Sequence, residues 1–162
     1  MKKIFVLLVI LGMMGLGSFT GCRRYNLPPT NNGGSLKPSE HSLLNEINAY
    51  RSRKGRSAVH TNETLSNAAQ NHANYMARTG NFSHRGEGRS TPAMRASKQG
   101  YKWTAIAENI AYGQTSVPEV VRTWANSWGH NKNMLGDFQH IGIGIATDNR
   151  GRIYWVNMFG NQ

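Results

Sequence analysis

Ala107-Glu108-Asn109-Ile110-Ala111-Tyr112 sets an acid and an amide inside an otherwise apolar run. Read as an extended strand, it puts Ile106, Ile110 and Tyr112 on one face, and Glu108 falls on that same face because side chains alternate. A carboxylate on a buried face is costly unless something pairs with it. The partner must come from elsewhere in the chain: a cation, a metal ion, or a donor such as histidine. His84, in Asn81-Phe82-Ser83-His84, and His130, in Trp128-Gly129-His130-Asn131, flank the stretch and are the best candidates. The competing reading is a surface carboxylate on an edge strand, and this stretch alone leaves both open.

Working outward, the spacing of Leu43, Leu44, Ile47 and Tyr50 predicts a helix that begins at Ser39, after Pro38, and closes at Lys54-Gly55. A second helix is expected from about Asn62 to Arg78, with Leu65, Ala68, Ala69, His72, Ala73 and Met76 as its buried stripe and Gly80 as its stop. On that stripe His72 is read as a hydrogen-bonded core histidine. The loop Asn81 to Arg89 carries Phe82, His84 and Glu87. Pro92 opens a short helix that ends at Gly100. The central strand runs from Thr104 to Tyr112 and Gly113 breaks it. Ser116-Val117-Pro118-Glu119 has the form of a capping box, leading a helix that buries Val117, Val120, Val121, Trp124 and Trp128. All four tryptophans, Trp103, Trp124, Trp128 and Trp155, are expected mostly in the core; two exposed together at a cleft would point to a carbohydrate or lipid contact. Finally Ile141, Ile143 and Ile145 alternate with Gly142, Gly144 and Ala146, so something packs very close to the bare face. Asp148-Asn149-Arg150-Gly151 turns the chain into a returning strand, Ile153 to Phe159. An α+β fold with an antiparallel sheet covered by helices fits this order.

The chain has 162 residues, enough for one domain. Its N-terminus is of a different kind. Met1-Lys2-Lys3 precedes an uncharged run from Ile4 to Phe19, the pattern of a secretory signal peptide over residues 1–21. Thr20-Gly21-Cys22 is similar to a bacterial lipobox, although Phe19 stands where that motif usually has leucine. Cys22 is then the lipidated first residue of the mature chain, and residues 22–38, rich in Pro, Asn and Gly, are a flexible tether to a domain over 39–162. Cys22 is the one cysteine, which excludes an intramolecular disulfide and a cysteine-based zinc site. The formal charge is +11, and loss of the signal segment removes only the two charges of Lys2 and Lys3. That balance favours anionic partners, an anionic lipid or cell-wall polymer, at a membrane reached through the lipid anchor. No nucleic-acid motif is present, and nucleic acid is not expected as a partner. The alternative is a solvated basic surface with no dedicated partner. A monomer is expected.

Several segments taken together carry a resemblance. They are Asn48-Ala49-Tyr50-Arg51, Leu65 with Ala68-Ala69-Gln70 and His72-Ala73, Phe82-Ser83-His84, and Glu108-Asn109-Ile110-Ala111. Trp124 with Gly129-His130 and Asn133-Met134-Leu135, and Ile141-Gly142-Ile143-Gly144, complete the series. This resembles the CAP superfamily of cysteine-rich secretory proteins, insect venom antigens and class 1 pathogenesis-related proteins, in its bacterial branch without disulfides. The resemblance implies a three-layer α-β-α sandwich and a cleft holding two histidines and two acids. His84, Glu108 and His130 match three of these; Glu87, the one acid between His84 and Glu108, is the candidate for the fourth.

Two imidazoles, His84 and His130, together with a carboxylate suit zinc or another divalent metal, with a fourth position for water. The other reading of the same groups is a hydrogen-bonded cluster that locks strand to loops. Two functions follow. One is a membrane-anchored binding module of the bacterial cell envelope, lying outside the cytoplasm. The alternative is a metal-dependent or acid/base hydrolase, a peptidase or cell-wall glycosidase, in the same cleft, with Glu87 and Glu108 as a carboxylate pair.

Overall fold

The structure is a computed structural model that describes residues 38–162. The expected signal segment, Cys22 and the tether lie outside the described residues. The elements follow in the order α1 (Pro38–Arg53), β1 (His60–Thr61), α2 (Glu63–Thr79), a 3-10 turn (Glu87–Arg89), α3 (Pro92–Lys98), β2 (Ala105–Tyr112), α4 (Val117–Ala125), α5 (Trp128–Met134), β3 (His140–Thr147) and β4 (Ile153–Asn161). Among the described residues, no helix is long and apolar enough to cross a membrane.

The four strands form one sheet in the order β1-β3-β4-β2. β3 and β4 form the expected antiparallel hairpin, and β2, expected as the central strand, pairs antiparallel with the other side of β4 and so lies at the edge of the sheet. The two-residue β1 adds a parallel pair beside β3, too short to leave a periodic signal, so the sheet as a whole is mixed.

Alternation along the strands builds the three layers. Ile141 and Ile143 of β3, Trp155 and Phe159 of β4 and Ala111 of β2 join Leu43, Ile47, Val120, Val121, Trp124 and Met134 in one core under α1, α4 and α5. Ile110, Tyr154, Val156 and Met158 point the other way, into a second core with Leu65, Ala68, Ala69, Ala73 and Met76 of α2 and Ala96 of α3. β2 is therefore an outer strand, and the two helical layers meet around its free edge.

The helix ends follow their chemistry. Asn62 caps α2 by accepting from the Leu65 amide at 3.1 Å, and Gly80 closes it with a positive φ of 71°. Thr91 caps α3 through the Met94 amide at 3.2 Å. The expected capping box at Ser116 does not form. The Ser116 side chain makes no cap bond, and Glu119 instead accepts from the amide and hydroxyl of Thr115 at 2.9 and 3.2 Å. The helix expected to run into Trp128 breaks at Asn126, and α5 starts afresh. Trp128 is then 81% exposed with Lys132 over its ring, whereas Trp124 is fully buried. Trp103 is also exposed at 43%, so only Trp124 and Trp155 are core tryptophans.

Arg51, close in sequence to Arg53, Lys54 and Arg56, is buried. It donates to the carbonyls of Met134 at 2.6 Å, Gly136 at 2.9 Å and Ser57 at 2.8 Å, fixing the end of α5 to the end of α1.

Candidate functional site

Glu108 sits mid-strand on β2, on the face toward α2 and α3, and its side chain is 1% exposed. The partner it requires is present twice. His84 Nδ1–H donates to Oε1 at 2.8 Å, and Arg95 Nη2 donates to Oε2 at 2.5 Å. His72 Nε2 lies 4.0 Å from Oε1, beyond hydrogen-bonding distance, and donates instead to the Ser83 carbonyl at 3.0 Å. Glu108 is thus a buried carboxylate held by a histidine and an arginine, and His72 is a core histidine held by a backbone carbonyl.

Arg95 is the residue that the sequence reading missed. On α3 it joins three segments, since Nη1 donates to the Ser90 carbonyl at 2.8 Å and the His84 carbonyl at 3.2 Å while Nη2 holds Glu108. The sequence signal was Glu108 itself, whose buried face admitted a cation as well as a histidine.

His130 approaches from the opposite layer. Asn109 donates to its carbonyl at 3.0 Å, and Asn133 donates to the Asn109 side chain at 2.9 Å and the Glu108 carbonyl at 3.2 Å. These bonds fasten α5 to the free edge of β2, which would otherwise expose unpaired backbone groups. The His130 ring makes no hydrogen bond to Glu108; its Nδ1 is buried without a protein partner. Asn157, opposite Asn109 in the β2–β4 register, is wholly buried with neither side-chain atom partnered.

Glu87 does not enter the cluster. It lies on the 3-10 turn with its side chain 75% exposed and pairs with Arg78 at 3.2 Å. The turn's glycine-rich backbone, with Gly88 at a φ of 61°, carries it outward. Of the four expected residues, His84 holds Glu108 together with Arg95, His130 lies near enough to His84 to feel its charge, and Glu87 stands apart, so a glycosidase pair of Glu87 and Glu108 is not assembled.

With Nδ1 given to Glu108, Nε2 is the ring nitrogen of His84 left for another partner, and the side chain is 53% exposed. A carboxylate behind a histidine is the arrangement that orients imidazole ligands in metal sites. Glu108 itself is a poor direct ligand here, because the guanidinium already holds one oxygen and His84 the other. Among the described residues, no three His, Cys, Asp or Glu side chains converge as a metal cage. The groups fit an open two-imidazole site, with His130 Nδ1 still lacking a partner, and not a closed structural one.

Burial lowers the pKa of His72, an effect that Glu108 partly opposes. Burial, then the nearby His84, lowers that of His130. Both lie below their ordinary 6.5 when folded, so the unfolded chain binds protons first. Their contribution is therefore full above that value and is lost as the pH falls toward the folded pKa. The thermal midpoint should drop from about pH 7 to about pH 5, and drop less in His72→Gln, whose amide keeps a donor for Ser83. His130 and His140, also lowered by burial, supply the remaining slope. Scanning calorimetry across that range tests it; equal slopes would leave His72 out of the pH response.

A model of the cysteine-rich secretory protein family, CAP, matches residues 44–159. The uncharacterized protein YkwD of Bacillus subtilis is 34% identical over 126 residues, 77% of this chain and 48% of that protein. The chain thus spans about half the length of that relative. Among solved structures, an outer surface protein of Borrelia burgdorferi superposes with a TM-score of 0.72 at 22% identity, covering 81% of this chain and 99% of that one. An extracellular SCP-domain protein of Bacillus anthracis gives a TM-score of 0.67 at 22% identity, covering 80% of this chain and 45% of that one. These likenesses extend over the three-layer fold described above. The chain belongs to the cysteine-rich secretory protein, or CAP, family.

Proposed function

We propose that this chain is a CAP-domain binding module of the bacterial cell envelope, held to a membrane through Cys22, with its domain outside the cytoplasm. It acts as a monomer, and its basic surface faces anionic lipid or cell-wall polymer. The observation that carries the binding reading is the state of Glu108. Both carboxylate oxygens are engaged, one by Arg95 and one by His84, so the acid serves as an orienter and not as a free base or nucleophile. The signal-peptide pattern and the net charge support the envelope assignment. Two structural relatives are themselves described as outer-surface and extracellular proteins.

In the cleft, His84 and His130 would hold a divalent cation such as zinc, with Glu108 behind His84 fixing its ring. Such an ion would supply a Lewis-acidic centre with open positions for a ligand atom. The chain's own contribution is orientation, because Arg95 fixes Glu108, Glu108 fixes His84, and Asn109 and Asn133 fix the segment bearing His130.

Titration of zinc into metal-free protein of residues 36–162, which contains every described element and both cores, tests this beside a His84→Ala, His130→Ala double variant. Saturable one-to-one heat that disappears in the variant is expected. Equal heat in both proteins, or none in either, would remove the cation from the reading. Hydrolysis of a peptide or wall glycan that is lost with His130→Ala would replace binding with the hydrolase alternative.

A further inference from the structure

A concavity lies beside Arg95. It is a groove of about 670 Å³ between α2, the 3-10 turn and α3, a volume that suits a small ligand. Asn71 and Arg78 line it from α2, Glu87 and Ser90 from the turn, and Lys98 and Gln99 from α3. Its inner wall includes Arg95, whose charge is already matched by Glu108.

Part of the polar lining is not used by the fold. Asn71, Lys98 and Gln99 make no side-chain hydrogen bond among the described residues, and Asn71 and Lys98 are exposed. Glu87 is the one acid in the lining, and it sits on Arg78 at 3.2 Å with both side chains more than half exposed. An ion pair so exposed is worth little, up to about 1 kcal/mol, and exchanges readily for another carboxylate. Glu87 therefore occupies the position that a ligand's carboxylate would take, with Lys98 as the second charge. The amides of Asn71 and Gln99 and the hydroxyl of Ser90 supply donors and acceptors for a hydroxyl-rich body.

We propose that this groove binds a carboxylated saccharide, its carboxylate displacing Glu87 from Arg78 and its hydroxyls meeting Asn71, Ser90 and Gln99. The proposal does not depend on the His84–His130 cleft. Wall and surface polymers of the class expected for an envelope protein carry such groups.

The test is a nitrogen-15 NMR titration of residues 36–162 with galacturonate, galactose and inorganic phosphate. Galacturonate should shift the signals of residues 71, 78, 90, 98 and 99 saturably, and galactose at equal concentration should not. Glu87→Gln, which removes the internal competitor, should tighten galacturonate binding about twofold to fivefold, the range expected when a competitor worth up to about 1 kcal/mol is removed. Arg78→Ala with Lys98→Ala, both at exposed positions that leave the cores untouched, should abolish the shifts while the remaining spectrum stays folded. Shifts spread over the whole basic surface, or unchanged binding in the double variant, would overturn the site. Phosphate binding as tight as galacturonate would overturn the saccharide assignment, because the groove would then recognise charge alone.

Discussion

Glu108→Gln is expected to cost about 3–5 kcal/mol of folding stability, the usual effect of breaking a buried ion pair from one side. The amide keeps the shape of the carboxylate but not its charge. Arg95 stays protonated at all relevant pH, and its side chain is only 9% exposed, so it would remain as a charge without a counterion. Its Nε is already buried with no partner, which leaves no spare hydration to compensate. The amide keeps a single accepting oxygen, and where Arg95 takes it His84 can turn to water, since half of its side chain is exposed. The loss should therefore come chiefly from Arg95, and a second variant isolates it. Arg95→Met together with Glu108→Gln removes both charges and should recover much of the deficit, with a coupling of about 0.5–3 kcal/mol between the two sites. Urea denaturation of Glu108→Gln, Arg95→Met and the double variant measures this. A Glu108→Gln protein within about 0.5 kcal/mol of the parent would mean that water reaches the guanidinium and that the pair does not hold β2, α3 and the His84 loop together.

How far this arrangement was legible in the sequence depends on the range of the interactions. The stripe of α2 and the alternation of β3 are local patterns, and both appear where the spacing places them. Glu108 announced a partner because a carboxylate on an apolar face carries its own demand, and His84 answered it. Arg95 gave no such sign. On a seven-residue helix between a polar loop and Gly100 it reads as a surface arginine, and only the folding of three separate segments around it makes it internal. Arg51 was hidden for the same reason: its acceptors are carbonyls far along the chain, and carbonyls have no identity in a sequence.

The errors lie where a local rule met a tertiary one. Ser116 and Glu119 have capping-box spacing, yet Thr115 offers Glu119 both an amide and a hydroxyl, and the glutamate takes those. Trp128 follows Trp124 at helical spacing, but the break at Asn126 rotates it off the buried face. Glu87 is the one acid placed in sequence to complete the cleft, and elimination along a sequence says nothing about the direction a loop carries a side chain. The exposed Trp103 and Trp128 do not form a common wall in any contact described: Trp103 donates to Ser97 on α3, and Trp128 stands beside Lys132 on α5.

Gly142→Ala should be among the most damaging single-methyl changes in the chain, costing about 3 kcal/mol or more, the upper end of what overpacking exacts. The bare face expected of β3 is real, and the element against it is α2. A Cβ on Gly142 would fall inside the contact distance of the Leu65 carbonyl group and the Ser66 amide; one on Gly144 would meet Ala69 and Gln70 in the same way. These neighbours are backbone atoms of a helix, so no rotamer change relieves the clash. Nor can α2 move away freely, because it is bonded to the strand it covers. Gln70 accepts from the Ile145 amide at 3.1 Å and donates to its carbonyl at 2.9 Å, and the Asn62 amide at the helix start donates to the Ile141 carbonyl at 3.0 Å. Lifting α2 would break those bonds and open the second core along its whole length, with His72 carried away from Ser83 and the loop that bears His84. The control is Gly129→Ala on α5, where nothing lies within 4 Å of the added methyl. There alanine should stabilise by about 0.5–1 kcal/mol, the difference in helix propensity. Thermal and urea unfolding of the two variants should move in opposite directions. If Gly142→Ala instead matched the parent, α2 would have room above β3, and the close seating that brings His72 and the His84 loop over Glu108 would need another cause.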